Sequence, residues 1–575
     1  VIRSRAGYAG AGALIALWWA GSALVAREIL LPSPPVVFHA LRKILADPSF
    51  GPTLAASLAR WVLGWFLSLV GAVVLASLAV GRPNLARFLR PALVTVRSVP
   101  VVSVILLALI WLPLDGVPVF VSLLVSLPLL YQGVLDGLRS VDRDLLDMGR
   151  LFRVSLPGRI WHIHIPGAAP VVLSAATSAA GMSWKAVIAA EVLSQPRLAV
   201  GTSMHVAKLY LETPSVIAWT FIAVLMATLV DGALGVLDRH LLAWCEVPEH
   251  RQGHEPDKRL ARRVGLDQPG GEPLPASPVQ TGRSPGSGLE EEFPLLFPSS
   301  GPRGGRPSAG IVLRSVSFSF PGVPLFENFN LEIEPGSATA ILGRSGAGKT
   351  TLLRLLAGDL LASGGSITRS CRSNHRGDIK DASGSSSRGR WIRRFIFPRV
   401  GQEEFPRVGF VFQEPRLLPW RSVLDNLLLV LPRRGTRSEG RELRRQLAAF
   451  LETLRLPRPG DYPGALSGGM KQRVNLIRAF LRSASVICLD EPLANQDAAT
   501  RGELRSLIRE LRTTIGPALV MVTHSRQEAL ALADRVIILA DQHPTKIIGD
   551  FLIKDISSDE REKVVQQIDS LLEDT

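Results

Sequence analysis

The chain has 575 residues, 47% of them apolar and 20% charged, with a mean hydropathy of +0.24. It is too long for one domain and too apolar for an ordinary soluble protein, and its composition excludes a collagen-like repeat and disorder throughout. The net charge of +15 admits a nucleic-acid, anionic-lipid or acidic partner until its distribution is read.

Three cysteines, Cys245, Cys371 and Cys488, form no Cys-x-x-Cys pair, which argues against a zinc or redox motif and suits a reducing compartment. Residues 1–245 hold 19 Lys+Arg against 11 Asp+Glu, mostly in short segments between apolar runs. That is the pattern of a membrane protein oriented by cytoplasmic arginines.

A helix of about 20 apolar residues crosses a hydrocarbon layer roughly 30 Å thick. Residues 11–26, 58–79, 92–112, 118–138 and 215–237 qualify. A sixth run, 170–192, carries Ser174, Thr177, Ser178, Ser183, Trp184, Lys185 and Glu191, so one of its faces should meet protein or water. The expectation is an all-α polytopic domain of about six spans. Arg3 and Arg5, then Arg82, Arg87 and Arg90, then Arg139, Arg143, Arg150, Arg153 and Arg159 fall on alternate loops, which places both ends of the domain on the cytoplasmic side. The segment 113–117 has no Lys or Arg, although the longer outer loops keep Arg27, Arg42, Lys43, Arg197 and Lys208. No small-residue cleavage site follows the first run, so it reads as a span rather than a cleaved signal peptide. Lys185 and Glu191 are the candidates for a solute pathway; the alternative is that they pair with each other or snorkel to the interfaces.

Between the runs lies Asp147-Met-Gly-Arg-Leu-Phe-Arg153, followed by Trp161-His-Ile-His-Ile-Pro166. It resembles the EAA loop of importer-type ABC permeases, with Asp147, Gly149, Ile163, Ile165 and Pro166 in register and with Met148 replacing an alanine and Arg153 a glycine. The resemblance implies a coupling loop that docks on an ATPase through Asp147, Gly149 and Pro166; an interfacial amphipathic helix is the alternative. Trp184-Lys-Ala-Val-Ile-Ala-Ala-Glu191 and Leu31-Pro-Ser-Pro34 resemble the nitrate/sulfonate/taurine subfamily of these permeases.

Residues 248–309 contain 11 Pro and 10 Gly without apolar periodicity, which reads as a flexible spacer. Beyond it, short apolar runs such as Ala338-Thr-Ala-Ile-Leu342 alternate with helical patterns, the sign of a parallel α/β sheet. Gly343, Arg344, Ser345, Gly346, Ala347, Gly348, Lys349 and Thr350 fit the full phosphate-loop pattern after such a strand, with Thr351 opening a helix. Backbone N–H groups can close around phosphates, Lys349 supplies charge to the β and γ groups, and the Thr350 hydroxyl ligates Mg²⁺. Asp490 and Glu491 end a second apolar strand, where Asp490 can hold the water shell of the metal and Glu491 can polarise an attacking water.

Leu466-Ser-Gly-Gly-Met-Lys-Gln-Arg473 resembles the signature sequence of ABC ATPases, and with the phosphate loop it names that superfamily. The resemblance implies that Ser467, Gly468 and Gly469 meet the ATP of a partner subunit and that Gln413 is the Q-loop glutamine, sensing the metal. His524 takes the place of the switch histidine, Asp497 of the D-loop aspartate, and Phe320 of the aromatic that stacks on adenine, the alternative for Phe320 being a core strand residue. Ala494-Asn-Gln-Asp497 departs from the usual Ser-Ala-Leu-Asp.

The division expected is a permease domain at 1–245, a linker at 246–309, an ATP-binding α/β P-loop domain at 310–545 with a basic insertion at 366–407, and an acidic tail at 546–575 carrying an amphipathic helix. The insertion has 10 Lys+Arg against 4 Asp+Glu but no recognisable binding fold, so it reads as solvated rather than as a nucleic-acid or lipid-head-group contact.

One phosphate loop, one signature and one set of spans imply a homodimer with two composite ATP sites in the cytoplasmic (inner) membrane, with the ATPase on the cytoplasmic side. ATP and Mg²⁺ are the implied cofactors. The solute implied is a small anion or polar organic molecule, such as nitrate, a sulfonate, taurine or bicarbonate, delivered by a separate extracytoplasmic solute-binding protein. A membrane-anchored regulatory ATPase and an exporter are the alternatives.

Overall fold

The computed structural model of the chain describes residues 5–25, 27–241, 296, 309–371, 408–431, 437–454, 456–482, 484–554 and 558–573. The chain divides into two compact units, Val1–Asp142 with Ile160–Glu246, and Arg143–Arg159 with Val247–Thr575. The block expected at 1–245 is therefore interrupted, because residues 143–159 cluster with the ATPase. Of the expected linker only Leu296 and Ala309 are described, and residues 372–407 of the basic insertion lie outside the described residues.

In chain order the helices of the first half are α1 (Arg5–Val25), α2 (Pro34–Ala46), α3 (Phe50–Val80), α4 (Pro83–Ser98), α5 (Val101–Trp111), α6 (Gly116–Arg139), α7 (Arg143–Leu151), α8 (Leu156–Arg159), α9 (Ile165–Ser194), α10 (Val200–Leu209) and α11 (Thr213–Leu241). A π-helical turn, Ile160–His164, joins α8 to α9. Among the described residues four helices are long and apolar enough to cross a membrane, namely Phe50–Val80, Gly116–Arg139, Leu156–Ser194 and Thr213–Val236.

The expected run 92–112 is not one straight span. It breaks by 98° between α4 and α5, because Pro100 has no N–H to donate and drives Val99 into extended backbone at φ −71°, ψ 131°. The run 11–26 falls on α1, of which Gly12–Val25 is the apolar stretch among the described residues.

Small residues set the packing of this unit. Buried Ser57, Trp61, Gly64, Ser68, Ala72, Ala76 and Ala79 recur every three or four positions on α3 and form the face that meets α6. A Cβ at Gly64 would lie 2.5 Å from Ser122 Cβ, and one at Gly133 would lie 2.1 Å from Ala175 Cβ, so α6 approaches both α3 and α9 at backbone distance. The polar groups of α9 are largely consumed within the protein. Ser183 Oγ accepts from Trp61 Nε1 at 3.0 Å, and Trp184 Nε1 donates to Ala223 O at 3.0 Å.

The second unit continues with β1 (Ala309–Phe320), β2 (Val323–Ile333), β3 (Ala338–Leu342), α12 (Lys349–Leu356), β4 (Gly364–Cys371), β5 (Val408–Val411), α13 (Val423–Leu428), α14 (Arg437–Thr453), α15 (Gly468–Phe480), β6 (Val486–Asp490), α16 (Ala498–Ile515), β7 (Ala518–Val522), α17 (Arg526–Leu532), β8 (Arg535–Leu539), β9 (Ile547–Leu552) and α18 (Ser558–Glu573). Strands β2-β1-β4 make an antiparallel sheet, and β5-β6-β7-β3-β8-β9 a second sheet that is parallel except for β9. Every residue of β3, β5, β6 and β7 is buried, as expected of strands covered on both faces.

Two expected boundaries shift. β4 pairs with β1 through Cys371, so the first residues of the supposed insertion belong to the sheet. The chain after 545 is no appended tail: β9 pairs with β8, and Ile553 and Ile568 are buried in the ATPase core, as is Leu296. Its acidic composition hid this, because a carboxylate such as Asp550 faces outward to pair with Arg535 at 2.6 Å while the apolar positions turn inward.

Candidate functional site

The phosphate loop lies between β3 and α12. Gly346 and Gly348 adopt φ +99° and +79°, and a Cβ at Gly348 would lie 3.0 Å from Phe326 Cζ, so backbone conformation and close approach both require glycine there. Lys349 is buried, and its Nζ donates to Gly343 O at 2.8 Å and Arg344 O at 2.7 Å. Burial pushes its ammonium below the ordinary lysine range, opposed by Glu491, Asp490 and Asp541.

Thr350 Oγ1 donates to Asp490 Oδ1 at 3.0 Å. Burial, together with the neighbouring charge of Glu491, holds Asp490 above the usual carboxylate range, against the pull of the Thr350 hydrogen bond. Glu491 sits at φ +43°, a left-handed conformation costly for a residue with a side chain, and its N–H donates to Val522 O at 2.9 Å. That turn brings its carboxylate to Gln413 Nε2 at 3.2 Å and to His524 Nδ1 at 3.4 Å. Gln413, Asp490, Glu491, His524, Lys349 and Thr350, drawn from four separate sequence segments, thus converge at the C-terminal ends of parallel strands.

Ser467 caps α15, its Oγ accepting from Met470 N at 3.3 Å. Asp497 caps α16, accepting from Thr500 N at 2.9 Å and Thr500 Oγ1 at 2.7 Å, and these bonds lower its pKa. The two motifs touch, since a Cβ on Gly469 would lie 2.7 Å from Thr500 Cγ2. Phe320 is 49% exposed and packs edge-on against Phe318 at 5.2 Å, so it is not a core strand residue.

Residues 143–159 pack on the ATPase through contacts that the sequence did not indicate. Asp147 Oδ2 accepts from Arg354 Nη2 at 2.6 Å, and Asp144 pairs with Arg416 at 2.8 Å. Phe152, 2% exposed, meets Phe412 edge-on at 6.3 Å, lies under the guanidinium of Arg478 at 5.1 Å, and its carbonyl accepts from Arg482. Arg478 is itself fully buried, and burial with the nearby charge of Arg416 lowers its pKa. Gly149 is buried in α7, and Pro166 occupies the first turn of α9. Arg153, where the EAA pattern has glycine, takes φ +48°, so the turn keeps the glycine conformation without the glycine.

The membrane candidates separate. Glu191 is fully buried and accepts from Ser57 Oγ at 2.9 Å, Arg60 Nη1 at 3.1 Å and Gly201 N at 3.1 Å. Arg60 also donates to Leu198 O at 2.8 Å and pairs with Asp115 at 2.7 Å. Glu191 therefore ties α3, α9 and α10 together, a structural role that the sequence did not indicate. Lys185 is exposed on another face of α9 and does not pair with Glu191. Arg60 was missed because it lies inside an apolar run with no local motif.

Residues 326–494 match the family described as ABC transporter, and residues 68–242 that described as binding-protein-dependent transport system inner membrane component. The chain is 39% identical over 238 residues to an aliphatic sulfonates import ATP-binding protein SsuB of Albidiferax ferrireducens, covering 41% of this chain and 73% of that protein. It is 38% identical to the protein of the same description from Cupriavidus necator, covering 41% and 68%. Among solved structures, the dimeric structure of the bacterial ABC transporter cassette MJ0796 is 24% identical, covering 43% of this chain and 100% of that chain, with a TM-score of 0.34.

The chain belongs to the ABC transporter family. It is a multi-pass membrane protein that joins a permease to its ATP-binding partner and couples ATP hydrolysis to transport.

Proposed function

We propose that two copies of this chain import a small sulfonate-class anion, received from a separate extracytoplasmic solute-binding protein. The observation that carries the reading is the packing of the EAA-like segment Arg143–Arg159 with the ATPase as one unit, since that loop belongs to importer-type permeases. The aliphatic sulfonate description of the ATP-binding relatives supports the solute class.

At the nucleotide, the phosphate-loop N–H groups and Lys349 hold the β and γ phosphates, and Phe320 stacks on adenine. The side chains fit Mg²⁺ held with ATP: Thr350 and Asp490 already bring two oxygens within 3.0 Å of each other, and the amide oxygen of Gln413 is a third donor. When bound, the ion neutralises charge on the transferring phosphoryl group. Glu491 accepts a proton from the water that attacks the γ-phosphorus, and His524 steadies the γ-phosphate. Ser467, Gly468 and Gly469 present the N-terminus of α15 to the ATP of the other copy, so ATP clamps the two copies only while its γ-phosphate is present. Asp497 links this motif to the neighbouring site. The segment bearing Asp147, Gly149 and Phe152 carries closure to the spans, with Pro166 opening the helix that receives it.

The test is ATP hydrolysis by the full chain in lipid nanodiscs, with solute-binding proteins loaded with alkanesulfonates, taurine, nitrate or bicarbonate. Stimulation by a sulfonate-loaded receptor is expected. Turnover indifferent to every loaded receptor overturns import.

A further inference from the structure

The break between α4 and α5 opens a cavity of about 150 Å³ in the membrane unit. Its walls are Val99 and Val101 at the break, Val125 and Pro128 of α6, and Met182 of α9, and its charged lining residue is Arg97. A cavity of that volume takes a group about the size of benzene. Val125 and Pro128 lie near the middle of Gly116–Arg139, and Met182 near the middle of Ile165–Ser194, so the cavity sits at mid-depth of the spans.

Arg97 makes no ion pair or hydrogen bond among the described residues. Two other arginines of this unit are engaged, Arg60 with Glu191 and Asp115 and Arg239 with the Gly235 carbonyl; what sets Arg97 apart from the rest is its place on the cavity wall. The Arg97 side chain is exposed at the cavity, where a guanidinium at the depth of the spans is costly unless it meets an anion, and no carboxylate pairs with it among the described residues. Lys185, also unpaired among the described residues, follows Met182 by one turn on the same exposed face of α9.

We infer that this cavity is a solute subsite for a short-chain alkanesulfonate, with the alkyl group among the valines and Met182 and the sulfonate on Arg97. The inference rests on the import reading above and narrows it. Two opposed requirements set the class. Inorganic sulfate or nitrate would satisfy Arg97 but leave the apolar pocket unfilled. Taurine would carry an ammonium into walls that offer it no acceptor, a burial that costs far more than the charge pair returns. A planar, bidentate guanidinium suits a sulfonate better than an ammonium does.

The test is equilibrium binding of ³⁵S-labelled butanesulfonate to the full chain in nanodiscs, beside receptor-stimulated ATP hydrolysis by the same preparation. The wild type should bind saturably, with butanesulfonate displaced by hexanesulfonate but not by sulfate or taurine at equal concentration. Arg97→Gln should lower affinity at least tenfold and Arg97→Lys less. Val125→Trp, which fills the cavity and leaves Arg97 in place, should also lower it, while Arg90→Gln, an exposed arginine of α4 outside the cavity, should not. If stimulation by a sulfonate-loaded receptor persists in the wild type but neither Arg97→Gln nor Val125→Trp changes binding, the subsite is wrong and the import reading stands. If the wild type neither binds butanesulfonate nor responds to any loaded receptor, the import reading fails and takes the subsite with it.

Discussion

Phe152→Ala separates the forces that hold the segment Arg143–Arg159 on the ATPase. Burying a phenylalanine completely contributes about 1.5–3 kcal/mol, its edge contact with Phe412 about 0.5–1.5 kcal/mol more, and truncation leaves a cavity, so the expected loss is about 3–4 kcal/mol. The four side chains of the ion pairs Asp147–Arg354 and Asp144–Arg416 are 20–51% exposed, so water screens both. Each is worth about 0–1 kcal/mol. The aromatic knob thus outweighs both charged contacts together, and the ion pairs serve mainly to set register. In nanodiscs, Phe152→Ala should raise amide exchange across residues 143–151 and bring the ratio of receptor-stimulated to basal ATP hydrolysis toward one. Asp144→Ala with Asp147→Ala should do so only weakly. Unchanged exchange and stimulation in Phe152→Ala, with both lost in the double aspartate variant, would refute the ranking.

Glu491→Gln should abolish hydrolysis while leaving ATP bound, read by release of radiolabelled phosphate beside nucleotide retention; wild-type turnover would remove Glu491 from its assigned role. Arg153→Gly should stabilise the docking turn by about 1 kcal/mol, because the exposed Arg153 side chain is at φ +48° where glycine is unstrained, and slower amide exchange across 149–154 would report it. Glu191→Leu should destabilise the membrane unit by on the order of 3 kcal/mol, since it strands Arg60 beside a lost partner and leaves Ser57 and the Gly201 N–H without their acceptor. Thermal unfolding in detergent measures this, and Glu191→Gln should lose less; equal stability of Glu191→Leu and wild type would mean that the cluster does not hold the three helices.

What was legible in the sequence divides along the range of the interactions. The phosphate loop, signature and strand-end carboxylates each act through backbone geometry fixed within a few residues, so Gly348, Ser467 and Glu491 could be read where they stand. The convergence of Gln413 and His524 on Glu491 was legible only through resemblance, because nothing local to either residue says what lies across the sheet. The break at Val99 and Pro100 had a local cause, a proline within an apolar run, yet hydropathy alone counts such a run as one span. Glu191 shows the opposite failure. Its intramembrane charge was visible, but its meaning depended on Arg60, 131 residues away, whose guanidinium turns a candidate pathway residue into a tie between helices. Arg97 carries the same guanidinium as Arg60 in the same domain but without an ion pair among the described residues, and it is that difference, which only tertiary structure exposes, that separates the structural ion pair from the anion subsite inferred above.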